Sequence, residues 1–170
     1  ILENGCLLIN TYFISEPDAI ITTEYVQHVS CFDSIDGSVL LYITGGTPVY
    51  TTDWSGVNPQ TLSAGIYNYT ITDNNNCVFS DTVSVNQPDT FNVGYNITDV
   101  SCFNGFDGSI SLNINGGTFP YNISWQNTNP LQLNAGYHHF TIVDNNNCIY
   151  SDSVFINEPP ILSVVENITN

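Results

Sequence analysis

Ile110-Ser111-Leu112-Asn113-Ile114-Asn115-Gly116-Gly117-Thr118 sets the fold. Apolar and polar residues alternate strictly over the first six positions, as in a strand with one face buried, and a Gly-Gly turn ends the run. The same pattern stands 71 residues earlier, where Val39, Leu41 and Ile43 take the inward positions before Gly45-Gly46-Thr47. Working outward, Cys31 falls on Cys102, Trp54 on Trp125, Cys77 on Cys148 and Pro88 on Pro159. Between residues 18–88 and 89–159 there is no insertion or deletion, and 32 of 71 positions are identical. A period of this length makes the chain a tandem array before any single residue is interpreted.

The phase of the period also reads the flanks. Cys6 and Pro17 lie 71 before Cys77 and Pro88, so residues 1–17 are expected to be the C-terminal tail of a preceding repeat. Asn167-Ile168-Thr169 falls on Asn96-Ile97-Thr98, so residues 160–170 are expected to open a following one. Residues 18–88 and 89–159 are the two full repeats.

Composition narrows the function classes. Sixteen acidic residues face no lysine or arginine, giving a formal charge of -16, yet only 9% of residues are charged. Neutralising phosphates needs cationic side chains, so nucleic acid is excluded as a partner. Docking to anionic lipid through a basic patch is excluded likewise. No apolar run approaches the ~18–20 residues of a membrane-spanning helix. Apolar content of 42% with 12% aromatics suffices for a core. Polarity must come from Asn, Thr and Ser, and each carboxylate must find water, a hydrogen-bond donor or a metal cation.

Strand signals continue along each repeat. Tyr121, Ile123 and Trp125 alternate after the glycine turn, with Tyr50 and Trp54 in the matching places. Phe140 and Ile142, or Tyr69 and Ile71, mark a third strand, and Val154 and Ile156, or Val83 and Val85, mark the last. The turn Asp73-Asn74-Asn75-Asn76-Cys77 is built of residues that tolerate positive φ. An opening strand near residues 19–28 and 90–99 completes five or six per repeat. Short strands with frequent turn signals predict an all-β protein of tandem immunoglobulin-like antiparallel sandwiches. The junctions Glu16-Pro17-Asp18, Gln87-Pro88-Asp89 and Glu158-Pro159-Pro160 hold no flexible linker, which predicts a stiff rod.

Each full repeat carries two cysteines 46 apart, which predicts the disulfides Cys31–Cys77 and Cys102–Cys148 and leaves Cys6 unpaired in this window. Evenly spaced pairs in an array of small domains favour an oxidising, extracellular setting over reduced cytosolic thiols.

Several motifs together resemble the SprB-type repeat of cell-surface gliding-motility adhesins of Bacteroidota. They are Val29-Ser30-Cys31, Asp36-Gly37-Ser38, Gly45-Gly46-Thr47, a Tyr before Trp54, Ala64-Gly65, Asp73…Cys77 and Gln87-Pro88. The second copy runs likewise from Val100-Ser101-Cys102 to Glu158-Pro159. Two positions depart from the pattern: the Asn-Gly-Cys turn is Asn-Asn-Cys at 75–77 and 146–148, and the aromatic at Tyr67 is His138. The resemblance implies a secreted surface protein exported by type IX secretion and engaged in attachment or gliding. It also implies O-glycosylation at Asp-Ser/Thr followed by an apolar residue, which singles out Ser34, Thr82 and Ser153.

No catalytic constellation emerges, and the chain is read as a non-enzyme. His28, His138 and His139 have no histidine at the equivalent position of the other copy, and the adjacent pair points to opposite faces of a strand. If Cys31 bonds Cys77, then Asp33, Asp36 and Asp73 converge, as do Asp107 and Asp144 in the second copy. Such oxygen clusters suit a structural Ca²⁺, although turn and capping chemistry accounts for the same residues. The leading expectation is a stalk segment whose partners are other repeats of the same chain. The alternatives are a polysaccharide-binding module, using Tyr12, Tyr25, Tyr95 or Phe103, and a fibre of identical chains packed side by side.

Overall fold

The computed structural model describes residues 2–3, 6–7, 10–126 and 128–166. The side chain of Cys6 lies outside the described residues, and so does Asn167. Two short strands, β1 (Leu2–Glu3) and β2 (Cys6–Leu7), pair antiparallel. The first repeat follows as β3 (Ile21–Gln27), β4 (Ser38–Thr44), β5 (Thr51–Asp53), β6 (Gly65–Thr72) and β7 (Val78–Val85). The second repeats the order as β8 (Asn92–Thr98), β9 (Ser109–Asn115), β10 (Asn122–Ser124), β11 (Gly136–Val143) and β12 (Ile149–Ile156). No helix occurs among the described residues.

In each repeat a two-stranded sheet packs on a three-stranded one, and every pairing is antiparallel. β3 pairs β4 with Val26 opposite Val39 and Ile21 opposite Thr44, and β6 is the centre of the β5-β6-β7 sheet. The two sheets enclose one core, built of Val39 from the first, Tyr69, Ile71, Val83 and Val85 from the second, and Val29, Trp54 and Leu62 from the segments that connect the strands. The second core uses the positions 71 later: Val100, Ile110, Leu133, Phe140, Ile142, Val154 and Ile156. Ile71 and Ile142 are wholly buried, and removing such a side chain from water is worth about 2–3 kcal/mol. Trp54 and Trp125 lean on Tyr69 and Phe140 with ring centroids 5.0 and 5.2 Å apart, so both tryptophans belong to the interior. The all-β sandwich is therefore as expected. It has five strands per repeat against the seven of an immunoglobulin constant domain, so the likeness goes no further than two-layer packing. Ile123, placed inward by its alternation with Tyr121 and Trp125, is 40% exposed because β10 is a three-residue edge strand.

The Gly-Gly turn fixes how β4 returns toward the start of β3. Gly45 has φ +72°, and a Cβ there would stand 1.9 Å from the carbonyl oxygen of Ala19. Gly116 has φ +79° and meets Thr90 in the same way. The freed carbonyls are taken by the ring hydroxyls of Tyr50 (2.6 Å) and Tyr121 (2.7 Å). Gly45→Ala and Gly116→Ala are expected to destabilise their repeats by more than about 2 kcal/mol, since strain and a backbone clash act together. Gly56→Ala, at φ +83° with nothing within 4 Å, carries the strain alone and should cost about 1 kcal/mol. Urea unfolding of the three variants checks the ranking.

Candidate functional site

The chemistry of this chain gathers at the two ends of each sandwich. At one end of the first repeat lies the turn after β6. Asp73 is buried there, and its Oδ1 accepts the amides of Asn75 (2.8 Å) and Cys77 (2.9 Å) while Oδ2 accepts that of Thr47 (2.9 Å). Asp144 binds Asn146, Cys148 and Thr118 in the same pattern. The Thr47 amide foremost, then those of Cys77 and Asn75, hold the Asp73 carboxyl below the usual carboxylate range. Asn76 and Asn147 stand at φ +61° and +63°, the left-handed region that Asn and Gly tolerate. That explains why this position can be Asn in both full repeats and Gly in the flanking Asn4-Gly5-Cys6.

The other end holds the loop after β3. Ser30 donates its amide and hydroxyl to Asp36, and the Ser30 hydroxyl, then its amide, lower the Asp36 pKa. Ser101 acts on Asp107 in the same way. The Asp33 amide donates to Gln87 Oε1, and the Asn104 amide to Glu158 Oε2. Asp33 and Asn104 both adopt φ near +60°, so their shared property is tolerance of that conformation and the charge is incidental.

The disulfide prediction is corrected here. Cys31 bonds Cys148, across 117 residues, with Cα atoms 5.7 Å apart. Cys77 and Cys102 are exposed free thiols, so neither Cys31–Cys77 nor Cys102–Cys148 forms. The reason is strand direction. Cys31 follows β3, whereas Cys77 precedes β7, beside the residues that open β3: Gly46 donates to Asp18, Asn74 to Thr47 and Asp73 to Cys77. Strands of seven and eight residues separate the two sulfurs by roughly 25 Å, whereas a disulfide needs Cα atoms within about 7 Å. The neighbour within reach of Cys31 is the equivalent of Cys77 in the next repeat.

A joint between repeats forms around that bond. Asn146 Nδ2 donates to the Ser30 carbonyl (2.9 Å) and to Thr118 Oγ1 (3.2 Å), tying both repeats to one amide. Beside the bond is a cleft of about 510 Å³, lined by Cys31 and Phe32 on one side and by Pro88, Asp89, Phe91, Gly117, Cys148 and Tyr150 among others.

The same correction removes the reason for a calcium cluster within a repeat. Asp33 and Asp36 lie at the opposite end from Asp73, as Asp107 does from Asp144. Among the described residues no three His, Cys, Asp or Glu side chains group as a metal site. Of the glycosylation candidates, Thr82 is exposed on β7, while Ser153 and Ser34 are half-buried.

Two of the histidines, His138 and His28, fill structural roles that no sequence pattern announced. His138 Nε2 meets the Asn134 carbonyl at 2.8 Å, the bond that the Tyr67 hydroxyl makes to Ser63 at 2.9 Å one repeat earlier. His28 Nδ1 accepts the Asn86 amide at 3.1 Å, where Asp99 accepts that of Asn157 at 2.8 Å. His139 is exposed. Of the aromatics considered for sugar stacking, Tyr12, Tyr25, Tyr95 and Phe103 are all at least a third exposed. Tyr95 is engaged, donating its hydroxyl to Asp152 and meeting Phe140 edge-on.

The family model described as SprB repeat matches residues 23–59 and again 94–130. Its two starts are 71 apart, the period read from the sequence. Each match begins in the opening strand and takes in Cys31 or Cys102 and the glycine turn; Cys77 and Cys148 lie beyond it. No curated relative and no solved structure matches the chain. SprB repeats belong to cell-surface proteins, and the disulfide fits an oxidising setting.

Two measurements check the site. Cleavage at acidic residues after alkylation of free thiols should yield a Cys31–Cys148 linked peptide, with Cys77 and Cys102 alkylated; a Cys31–Cys77 peptide would refute the joint. In pH-dependent melting, Asp36, Asp73, Asp107 and Asp152 have folded pKa values below the unfolded value near ~3.9. Their stabilisation is complete above that value and lost as pH falls through the folded ones, so the melting temperature should hold to about pH 5 and drop below about pH 4. Burial foremost pushes the Tyr69 hydroxyl up to about 12, so stability should also fall as pH rises from about 10 towards 12. Chelator should leave the neutral-pH melting temperature unchanged, because backbone amides already occupy the buried carboxylates.

Proposed function

We propose that this chain is a stalk segment of an extracellular, cell-surface adhesin, whose repeats space a binding element from the cell and carry tension. The observation behind it is the Cys31–Cys148 bond, which joins one repeat to the next and lies outside either core. A disulfide inside each sandwich would protect single domains. One between sandwiches makes the joint as strong as the chain itself. The repeat family supports the surface setting, and gliding motility, type IX export and O-glycans at Ser34, Thr82 and Ser153 remain parts of the same proposal. Structural Ca²⁺ has no role in it.

Pulling the chain by its ends tests this reading. Force runs from the first repeat into the second through the disulfide, so the chain between the cysteines, a sequence separation of 117, cannot extend. At ~3.3–3.6 Å per residue, reduction should release roughly 400 Å of additional length. Equal extension with and without reductant would remove the mechanical role.

One surface favours a second reading. The outer face of the β3-β4 sheet exposes Ile21, Tyr25, Leu40 and Tyr42, each more than 60% exposed. The equivalent face of β8-β9 presents Asn92, Gly94, Asn96, Ser111 and Asn113 instead. An apolar, aromatic face on one repeat alone supports polysaccharide binding or side-by-side packing of chains there. A glycan-array screen and electron microscopy distinguish the two: sugar binding lost in Tyr25→Ala supports a binder, and bundles in place of single rods support a fibre.

A further inference from the structure

The two repeats share a core but not an outer face. In the first repeat β3 and β4 pair with Ile21 opposite Thr44, Thr23 opposite Tyr42, Tyr25 opposite Leu40 and Gln27 opposite Ser38. Alternation sends these eight side chains away from the core, while Val26, Val39, Leu41 and Ile43 turn toward it. Ile21, Tyr25, Leu40 and Tyr42 are each between 61% and 64% exposed. The other four carry hydroxyl or amide groups, and none of the eight is charged. The one acid on these strands, Glu24, faces the other way and accepts the Tyr69 hydroxyl at 2.7 Å. In the second repeat Asn92, Asn96, Ser111 and Asn113 stand where Ile21, Tyr25, Leu40 and Tyr42 do. The same sandwich thus forms without an apolar outer face, so folding does not account for this one. A neighbour at either end leaves the face open. Tyr25 and Leu40 are exposed with the second repeat joined at Cys31, and Asn92, Asn96 and Asn113 are exposed with the first repeat joined at Cys148.

The chemistry of the face selects its occupant. A chain of formal charge -16 without lysine or arginine repels anionic polymers, and an uncharged face offers a cation no carboxylate. Eight residues fall well short of the ~20–30 per side that a stable protein interface uses, which disfavours a second copy or another folded protein. Tyrosine rings with hydroxyl and amide groups beside them match a neutral sugar, whose ring has apolar C–H faces and a rim of hydroxyls. Tyr25 and Tyr42 are diagonal neighbours across the strand pair, roughly 7–8 Å apart at the backbone. Two such platforms can hold two rings of one extended sugar chain, an advantage that a monosaccharide does not have.

We propose that the outer face of the β3-β4 sheet binds a neutral polysaccharide. Tyr25 and Tyr42 stack on its sugar rings, Ile21 and Leu40 complete the apolar floor, and Thr23 and Ser38 offer hydroxyls to the sugar rim. This rests on the binding reading given above and narrows it to one repeat, one face and one class of ligand. It is independent of any tension-carrying role, because the face lies along the strands and the joint lies at their ends.

Native affinity electrophoresis of the full chain tests this, in gels containing hydroxyethyl cellulose, xyloglucan, galactomannan or dextran, with alginate as the anionic polymer. At least one neutral polymer should retard the chain, and alginate should not. Tyr25→Asn with Tyr42→Asn installs the residues that the second repeat has at these positions, so the melting temperature should hold while the association constant falls at least about tenfold. In that background, Asn92→Ile, Asn96→Tyr, Ser111→Leu and Asn113→Tyr move the face to the second repeat and should restore retardation. No retardation of the intact chain by any of the neutral polymers overturns the proposal and the binding reading together. Retardation that survives loss of both tyrosines, or that the transferred face does not restore, overturns the assignment to this face and leaves the binding reading standing. A concentration-dependent dimer in sedimentation, lost with Tyr25→Asn and Tyr42→Asn, gives the face to a second copy and likewise overturns the proposal.

Discussion

Asp144 binds three backbone amides with one carboxylate, and the joint between repeats depends on it. With no lysine or arginine in the chain, this buried acid is satisfied by backbone amides, and those of Asn146 and Cys148 are two of the three. Holding them folds residues 144–148 into a tight turn. The turn aims the Asn146 side chain at the Ser30 carbonyl and brings the Cys148 sulfur to Cys31. The third amide, from Thr118, anchors the turn to the end of the Gly116-Gly117 loop, where Tyr121 takes the Gly116 carbonyl. The buried carboxylate and the position of the disulfide are thus features of one turn. Amide donors on a turn do the work that ion pairs do elsewhere, and the same turn presents the cysteine.

The sandwich was legible because alternation reports burial directly: Val39, Ile110, Ile71 and Ile142 are as buried as their spacing implies. The cysteine pairing was not legible from the period. Separations of 46 and 117 differ by one repeat, so a 71-residue period fits both pairings equally. A signal that decides between them was nevertheless present. Between Cys31 and Cys77 the chain makes three passes, β4, β5 and β6, and an odd number of antiparallel passes leaves two residues at opposite ends of a sandwich. Counting passes would have excluded Cys31–Cys77. The same count would have separated Asp33 and Asp36 from Asp73, because the proposed metal cluster depended on that disulfide.

Comparison of the copies shows what the fold requires at its loop ends. Tyr67 gives way to His138, His28 to Asp99 and Gln87 to Glu158, yet each pair makes the same bond to the same backbone group. Asp33 and Asn104 share a left-handed φ, and no function of their charge survives the exchange. In the core the exchange is coupled. Tyr69 buries its ring and sends its hydroxyl to Thr22 and Glu24; in the second repeat Phe140 has no hydroxyl, and Tyr95, in the place of Glu24, reaches Asp152 instead. The retained quantity is a satisfied polar atom, and no buried side-chain nitrogen or oxygen lacks a partner among the described residues. His28 and His138 are thus substitutes for Asp and Tyr in backbone clamps, which is why neither recurs.

The energetics of the joint explain why it needs a covalent bond. Apart from the disulfide, its direct polar link among the described residues is one amide-to-carbonyl bond from Asn146, and such bonds contribute about 0.5–1.5 kcal/mol net. The cleft beside it remains open, so Phe32 adds only part of the burial that an enclosed side chain would. Stabilisation of this size is comparable to a few times thermal energy, and two repeats held by it alone would separate and re-form continually. Pro88 limits the junction on one side of the joint, and Cys31–Cys148 closes the other. With two points of attachment, one through the main chain and one through sulfur, neighbouring repeats cannot swivel about a single bond. Orientation between repeats is therefore set by covalent geometry, and the weak contacts in the cleft only need to be compatible with it.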